Sequence, residues 1–135
     1  MRYPLISYFA SLGGNTCGYS KGPFIVIRTD LRGDEGIYQH ELTHVKQWAL
    51  ISLLGLVWLA ACYQFGLMQW ANLGIGALAL HPLLYTLFKP FTLWAEVQAY
   101  RKQIAYGLDP DAAAHSIAND YGINITQEAV LQRLK

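Results

Sequence analysis

The stretch HELTHVKQWALISLLGLVWLA, residues 40–60, decides the fold. It opens on titratable and charged side chains, His40, Glu41, His44 and Lys46, and passes within one helix length into sequence that has none. It contains no proline. Just upstream, Asp34 and Glu35 offer an N-cap and first-turn negative charge, so a helix is expected from about Gly36 through this transition.

Beyond Lys46 the charge stays absent. Residues 47–88 contain no Asp, Glu, Lys or Arg and are broken only by His81. The chain as a whole has 135 residues, 53% hydrophobic and only 14% charged, with 10 Lys plus Arg against 9 Asp plus Glu. An ordinary soluble domain is about 25% charged. The deficit is local: a water-soluble frame carries an apolar insert. The length suits one domain, residues 1–135, with 47–88 as a helical hairpin within it. The near-neutral balance gives no basic footprint for nucleic acid, and the last predicted helix has only Arg133 and Lys135 as cations. Cys17 and Cys62 have no CxxC spacing, which argues against a disulfide framework or a cysteine zinc site. Met1 to Leu12 is too short and too interrupted by Pro4 to read as a secretory signal.

Outside the insert, FIVIRT at Phe24, Ile25, Val26, Ile27, Arg28 and Thr29 is β-branched and aromatic and reads as a strand following a turn cluster at Gly18 to Pro23. Pro23 at its start points to an edge position. Two apolar segments, Ala49 to Leu67 and Leu73 to Phe88, form the hairpin. A helix is expected over Leu93 to Tyr106, closed by Gly107, and another from the Asp109-Pro110 cap to about Tyr121. A last short helix is capped by Thr126 and ends at Leu134. The fold class is mainly α with a small β element.

His40-Glu41-Leu42-Thr43-His44 is an HExxH motif. On a helix, residues four apart share a face, so two imidazoles approach one metal ion together. Glu41 is turned away from that pair but within reach of a water activated by the metal. This is the division of labour that metal-assisted hydrolysis requires: the ion acidifies water and polarises a carbonyl, and the carboxylate moves the proton to the leaving amine.

A catalytic zinc site takes three protein ligands. Glu96, flanked by Phe91, Leu93, Trp94 and Ala95 on the helix after the insert, is the best third candidate, because a carboxylate at an apolar core needs a cation to offset its desolvation. The bland alternative is a solvated Glu96 paired with Arg101 or Lys102. His81 and His115 are weaker contenders for the third ligand. Tyr38, two residues before His40, could point a hydroxyl at a developing oxyanion.

The run HELTHVKQW with a later Glu-x-x-Ala at Glu96 to Ala99 resembles the gluzincins, zinc metallopeptidases whose HExxH helix gives two ligands and whose second helix gives a glutamate. Val45-Lys46-Gln47 matches the continuation often seen in short bacterial and phage members. The resemblance covers about residues 24–106. It implies a zincin-like fold, one Zn2+ on His40, His44 and Glu96, Glu41 as general base, and a peptide or protein substrate pairing with an edge strand at Phe24 to Thr29. The sequence has Tyr100 where many gluzincins have an aspartate that orients a ligand histidine, so Tyr100 would stand in that supporting role or simply pack. The insert between the two halves of the motif is similar to membrane-embedded gluzincins. A non-catalytic, membrane-associated or structural protein that keeps a metal site is the alternative.

Neither apolar segment shows a charged stripe at helical period, which argues for two transmembrane helices over a buried core. Each segment is about 24–28 Å long as a helix, close to the roughly 30 Å of a bilayer core. Lys46 and Lys89 would then flank the hairpin on one side, placing both termini and the zinc site at the cytoplasmic face of the inner membrane. A soluble cytoplasmic domain with the hairpin as its core is the alternative, and oligomeric state is left open.

Overall fold

A computed structural model describes residues 5–12 and 16–135. Met1 to Pro4, where the N-terminal run begins, lie outside the described residues. Three strands, β1 (Ile6–Phe9), β2 (Gly18–Lys21) and β3 (Phe24–Arg28), precede five α-helices: α1 (Glu35–Gln64), α2 (Ala71–Leu87), α3 (Lys89–Ile104), α4 (Pro110–Asp120) and α5 (Gln127–Leu134). The protein is mainly helical with a small sheet.

The sheet order is β1-β3-β2, with β1 parallel and β2 antiparallel to β3. This corrects two expectations. Phe24 to Arg28 is the central strand rather than an edge, and Gly18 to Lys21 is a strand rather than part of a turn. The reason lies at Pro23. It occupies the second position of a two-residue hairpin turn after Gly22, whose φ of +57° gives the mirror-image turn that suits strand twist. There the missing N–H removes no ladder bond. Thr29 leaves the strand and starts a 3₁₀ turn, Thr29–Leu31. Ile25 and Ile27 of β3 pack on Ile37, Tyr38 and Val45 of α1, so Tyr38 is part of the core between the helix and the sheet.

Helix α1 starts where Asp34 accepts a hydrogen bond from the Ile37 N–H at 2.9 Å, and runs unbroken through the change in polarity. Asp109 and Thr126 cap α4 and α5 in the same way, accepting from Ala112 and Ala129. The second half of α1 and all of α2 form the hairpin. At its crossing a Cβ on Gly55 would fall 2.3 Å from the Ala77 Cβ and 2.5 Å from the Gly74 carbonyl oxygen, so only glycine permits this backbone approach. Two tryptophans tie the hairpin: Trp48 Nε1 donates to the Leu78 carbonyl at 3.0 Å and Trp58 Nε1 to the Trp70 carbonyl at 3.1 Å.

The outside of the hairpin is apolar. Leu54, Val57, Phe65, Leu73, Ile75 and Leu83 are among the side chains at least half exposed. Helix α1 is long and apolar enough to cross a membrane; α2 has 17 residues and meets that condition only together with α3, after a bend of 97°. That bend turns α3 back beneath the hairpin. Leu93 and Val97 of α3 then bury against Ala113, Ala114 and Ile117 of α4 and Val130 and Leu134 of α5.

Candidate metal centre

The 3.6-residue repeat places His40 and His44 one turn apart on the face of α1 that meets α3, and their rings lie 5.1 Å apart, edge to face. Glu96, about two turns into α3, is fully buried opposite them. Its Oε1 is 3.2 Å from His44 Nε2 and its Oε2 is 3.5 Å from His40 Nε2. The three residues form one group whose ligand atoms all lie within 4.8 Å of one another. Neither Arg101 nor Lys102 pairs with Glu96; Arg101 donates instead to the Arg133 carbonyl at 2.6 Å.

The donor set fits a metal ion. Ligand atoms about 2.0–2.1 Å from a tetrahedral ion sit roughly 3.3 Å from each other, close to the 3.5 and 3.2 Å that separate the two Glu96 oxygens from His40 and His44. Glu96 Oε2 is buried with no hydrogen bond and faces His40, while Oε1 faces His44. A buried carboxylate so placed is stabilised by a cation between it and the imidazoles.

Supporting contacts fix the ligands. Gln47 Nε2 donates to the Ala95 carbonyl at 3.2 Å, which turns its Oε1 toward His44 Nδ1 at 3.0 Å. Gln47 Oε1 can only accept, so it favours a proton on His44 Nδ1, which in the neutral imidazole leaves the Nε2 lone pair for a metal. The Tyr85 hydroxyl, from α2, donates to Glu96 Oε1. Tyr100 touches the ring of His40 edge-on, centroids 4.6 Å apart, while its hydroxyl lies 3.3 Å from that of Tyr121. In the sequence Gln47 stands out only as part of the family-like run, and nothing singles out Tyr85. No local signal marks a tyrosine eleven residues before a glutamate as its donor.

Burial sets the electrostatics. It pushes the Glu41 carboxyl up to about 7 against the opposing pull of His44, and pushes the His40 imidazole down to about 4 against that of Glu96. Burial disfavours charge on His44 and Glu96 as well. Their mutual attraction prevails, holding the imidazole above and the carboxyl below their ordinary values.

No protein-family model, curated protein or solved structure matches this chain. Its chemistry must be read from the side chains themselves.

Glu41 is outside the ligand group. It lies beneath β2, where a Cβ on Gly18 would be 3.3 Å from Glu41 Oε1, and Ser20 hydrogen-bonds to its carboxyl. The ligands, Glu41 and β2 border a cavity of about 980 Å³, closed on further sides by the foot of α2 at His81 and Tyr85 and by Ser116 and Asp120 of α4. His81 thus reaches the cavity but not the ligand group, and His115 is exposed on α4 beside Asn119. Among the described residues β2 pairs only with β3, so its second edge is unpaired and β2, not Phe24 to Thr29, lines the cavity.

Proposed function

We propose that this chain is a zinc-dependent peptidase of zincin type, embedded in the cytoplasmic membrane by its apolar hairpin. The observation that carries the proposal is the meeting of His40 and His44 with Glu96, across the whole insert, in a buried three-ligand group that leaves Glu41 beside it and unligated. A structural zinc site is closed by four ligands, whereas three ligands and an adjacent carboxylate on a cavity wall suit catalysis.

A zinc ion held by His40, His44 and Glu96 would supply Lewis acidity for a peptide carbonyl and a water. Glu41 is placed to accept a proton from the attacking water and to return it to the amide nitrogen of the departing amine. The burial that raises the Glu41 carboxyl keeps it basic enough near neutral pH to do both. The second edge of β2, unpaired among the described residues, presents backbone groups to which an extended peptide pairs.

The membrane reading rests on the charge-free segment 47–88, its exposed apolar surface, and Lys46 and Lys89 at its two ends. By the positive-inside tendency the metal group then lies on the cytoplasmic side.

The test is zinc content and peptide hydrolysis of the wild type beside Glu41→Gln, purified in detergent. Near-stoichiometric zinc in both proteins, with hydrolysis lost in the variant, is expected. Wild type without zinc removes the site, and equal hydrolysis by the variant removes the mechanism. Zinc in both proteins with hydrolysis by neither leaves the alternative of a non-catalytic metal protein.

A further inference from the structure

Strand β2 and helix α1 run side by side, and their contacts fix their relative direction. Gly18, at the start of β2, lies against Glu41, and Gly22, just past its end, lies against the indole of Trp48, 3.5 Å from where a Cβ would be. Both strand and helix therefore progress from the proposed reacting centre toward the hairpin. From Glu41 to Trp48 the helix rises about 10 Å, and β2 covers a similar distance in about three to four extended residues.

Trp48 marks a boundary. It stands two residues beyond Lys46, the last charge before the apolar segment, and its indole bonds to the α2 backbone. Tryptophan and lysine at such a transition are the usual anchors of a bilayer interface. The cavity reaches that level, because Gly22, Trp48 and His81 line it together with Gly18 and Glu41. A peptide laid along the free edge of β2 consequently has one end directed at the lipid surface and its bond at Glu41 about 10 Å away.

We infer that the substrates are membrane-anchored polypeptides, cut in an extended segment about three to five residues outside the point where an apolar helix leaves the bilayer. This rests on the peptidase and membrane readings above and adds the substrate class and the position of the cut. The hairpin serves as a ruler: it fixes the depth of Glu41 relative to the lipid, and the depth selects the bond. Specificity then depends on distance from the membrane and on extended conformation more than on side-chain identity.

The experiment uses the zinc-loaded wild-type chain in phosphatidylcholine–phosphatidylglycerol nanodiscs. One substrate is a peptide with a 20-residue Leu/Ala helix followed by a polar, unstructured tail; a second is the same tail without the helix; a third has ten Gly/Ser residues between helix and tail. Products are located by mass spectrometry. Cleavage of the anchored peptide at least tenfold faster than the free tail is expected, with the cut staying three to five residues from the helix end when the spacer is inserted. A cut that moves with the tail sequence, or Glu41-dependent cleavage of the free tail at an equal rate, overturns the membrane ruler and leaves the peptidase reading standing. Zinc-loaded protein that cuts none of the three overturns both.

Discussion

The Tyr85 hydroxyl donates a hydrogen bond to Glu96 Oε1, so a residue of the apolar hairpin holds a ligand of the candidate metal centre. Thr92 strengthens this junction: its Oγ1 donates to the Tyr85 carbonyl at 2.6 Å, across the bend between α2 and α3. Groups that hydrogen-bond metal ligands typically contribute about 10- to 100-fold to affinity. Tyr85→Phe keeps the ring and removes only the donor. It is expected to weaken zinc binding at least tenfold in a chelator competition while leaving helical content unchanged. Unaltered affinity in this variant would show that the hydroxyl does not position Glu96.

Gln47 acts on the other side of the group. Its amide is oriented by the Ala95 carbonyl and fixes the tautomer of His44. Gln47→Leu removes both bonds and frees the imidazole to put its proton on Nε2, the atom a metal requires. Zinc affinity is expected to fall about tenfold or more. Gln47→Glu retains an acceptor for His44 Nδ1 and should recover part of the loss. Isothermal titration of the two metal-free variants with zinc distinguishes these outcomes, and equal affinities would rule out the tautomer role.

The legible parts of this molecule are those written in short range. Asp34, Asp109 and Thr126 cap helices because a cap needs only its own side chain and an N–H three residues on. His40 and His44 fall together because helical spacing puts them together. The rank of β3 in its sheet was not legible, because it depends on β1, a four-residue strand whose pairing partner lies nineteen positions away, Ile6 opposite Ile25. The edge that borders the cavity is instead β2, whose Gly-Tyr-Ser-Lys composition resembles a turn and becomes a strand through pairing with β3. Glu96 was within reach of sequence reasoning, since an acid amid apolar neighbours demands a partner. Tyr85 and Gln47 were not, because their roles exist only once α2 and α3 fold back on α1.

The hairpin crossing yields a stability prediction with an internal control. A side chain on Gly55 meets backbone and Cβ atoms of α2 at 2.3–2.5 Å, whereas a Cβ on Gly76, on the same hairpin, has nothing within 4 Å. Overpacking at a rigid contact typically costs about 1–3 kcal/mol, and here backbone must move. Gly55→Leu is expected to lower the thermal unfolding midpoint in detergent by several degrees, with Gly76→Leu close to wild type. Equal midpoints in the two variants would mean that the helices do not pack in this register.

Gly18 offers a way to disturb the reacting centre without touching the metal. A Cβ at this position would lie 3.0 Å from the Val26 carbonyl oxygen, across the ladder, and 3.3 Å from Glu41 Oε1. The branched side chain of valine cannot fit there unless β2 lifts or Glu41 turns away. None of the ligands His40, His44 and Glu96 is among the atoms that a Cβ on Gly18 would meet, so their geometry is spared. Gly18→Val is therefore expected to keep wild-type zinc content and lose at least tenfold in kcat/KM toward a peptide substrate. Gly33→Ala, where a Cβ has nothing within 4 Å, should change neither quantity. A Gly18→Val protein that retains both zinc and full hydrolysis would show that Glu41 does not work from the place it occupies beneath β2, since displacement of a general base by even about 1 Å costs on the order of 100-fold.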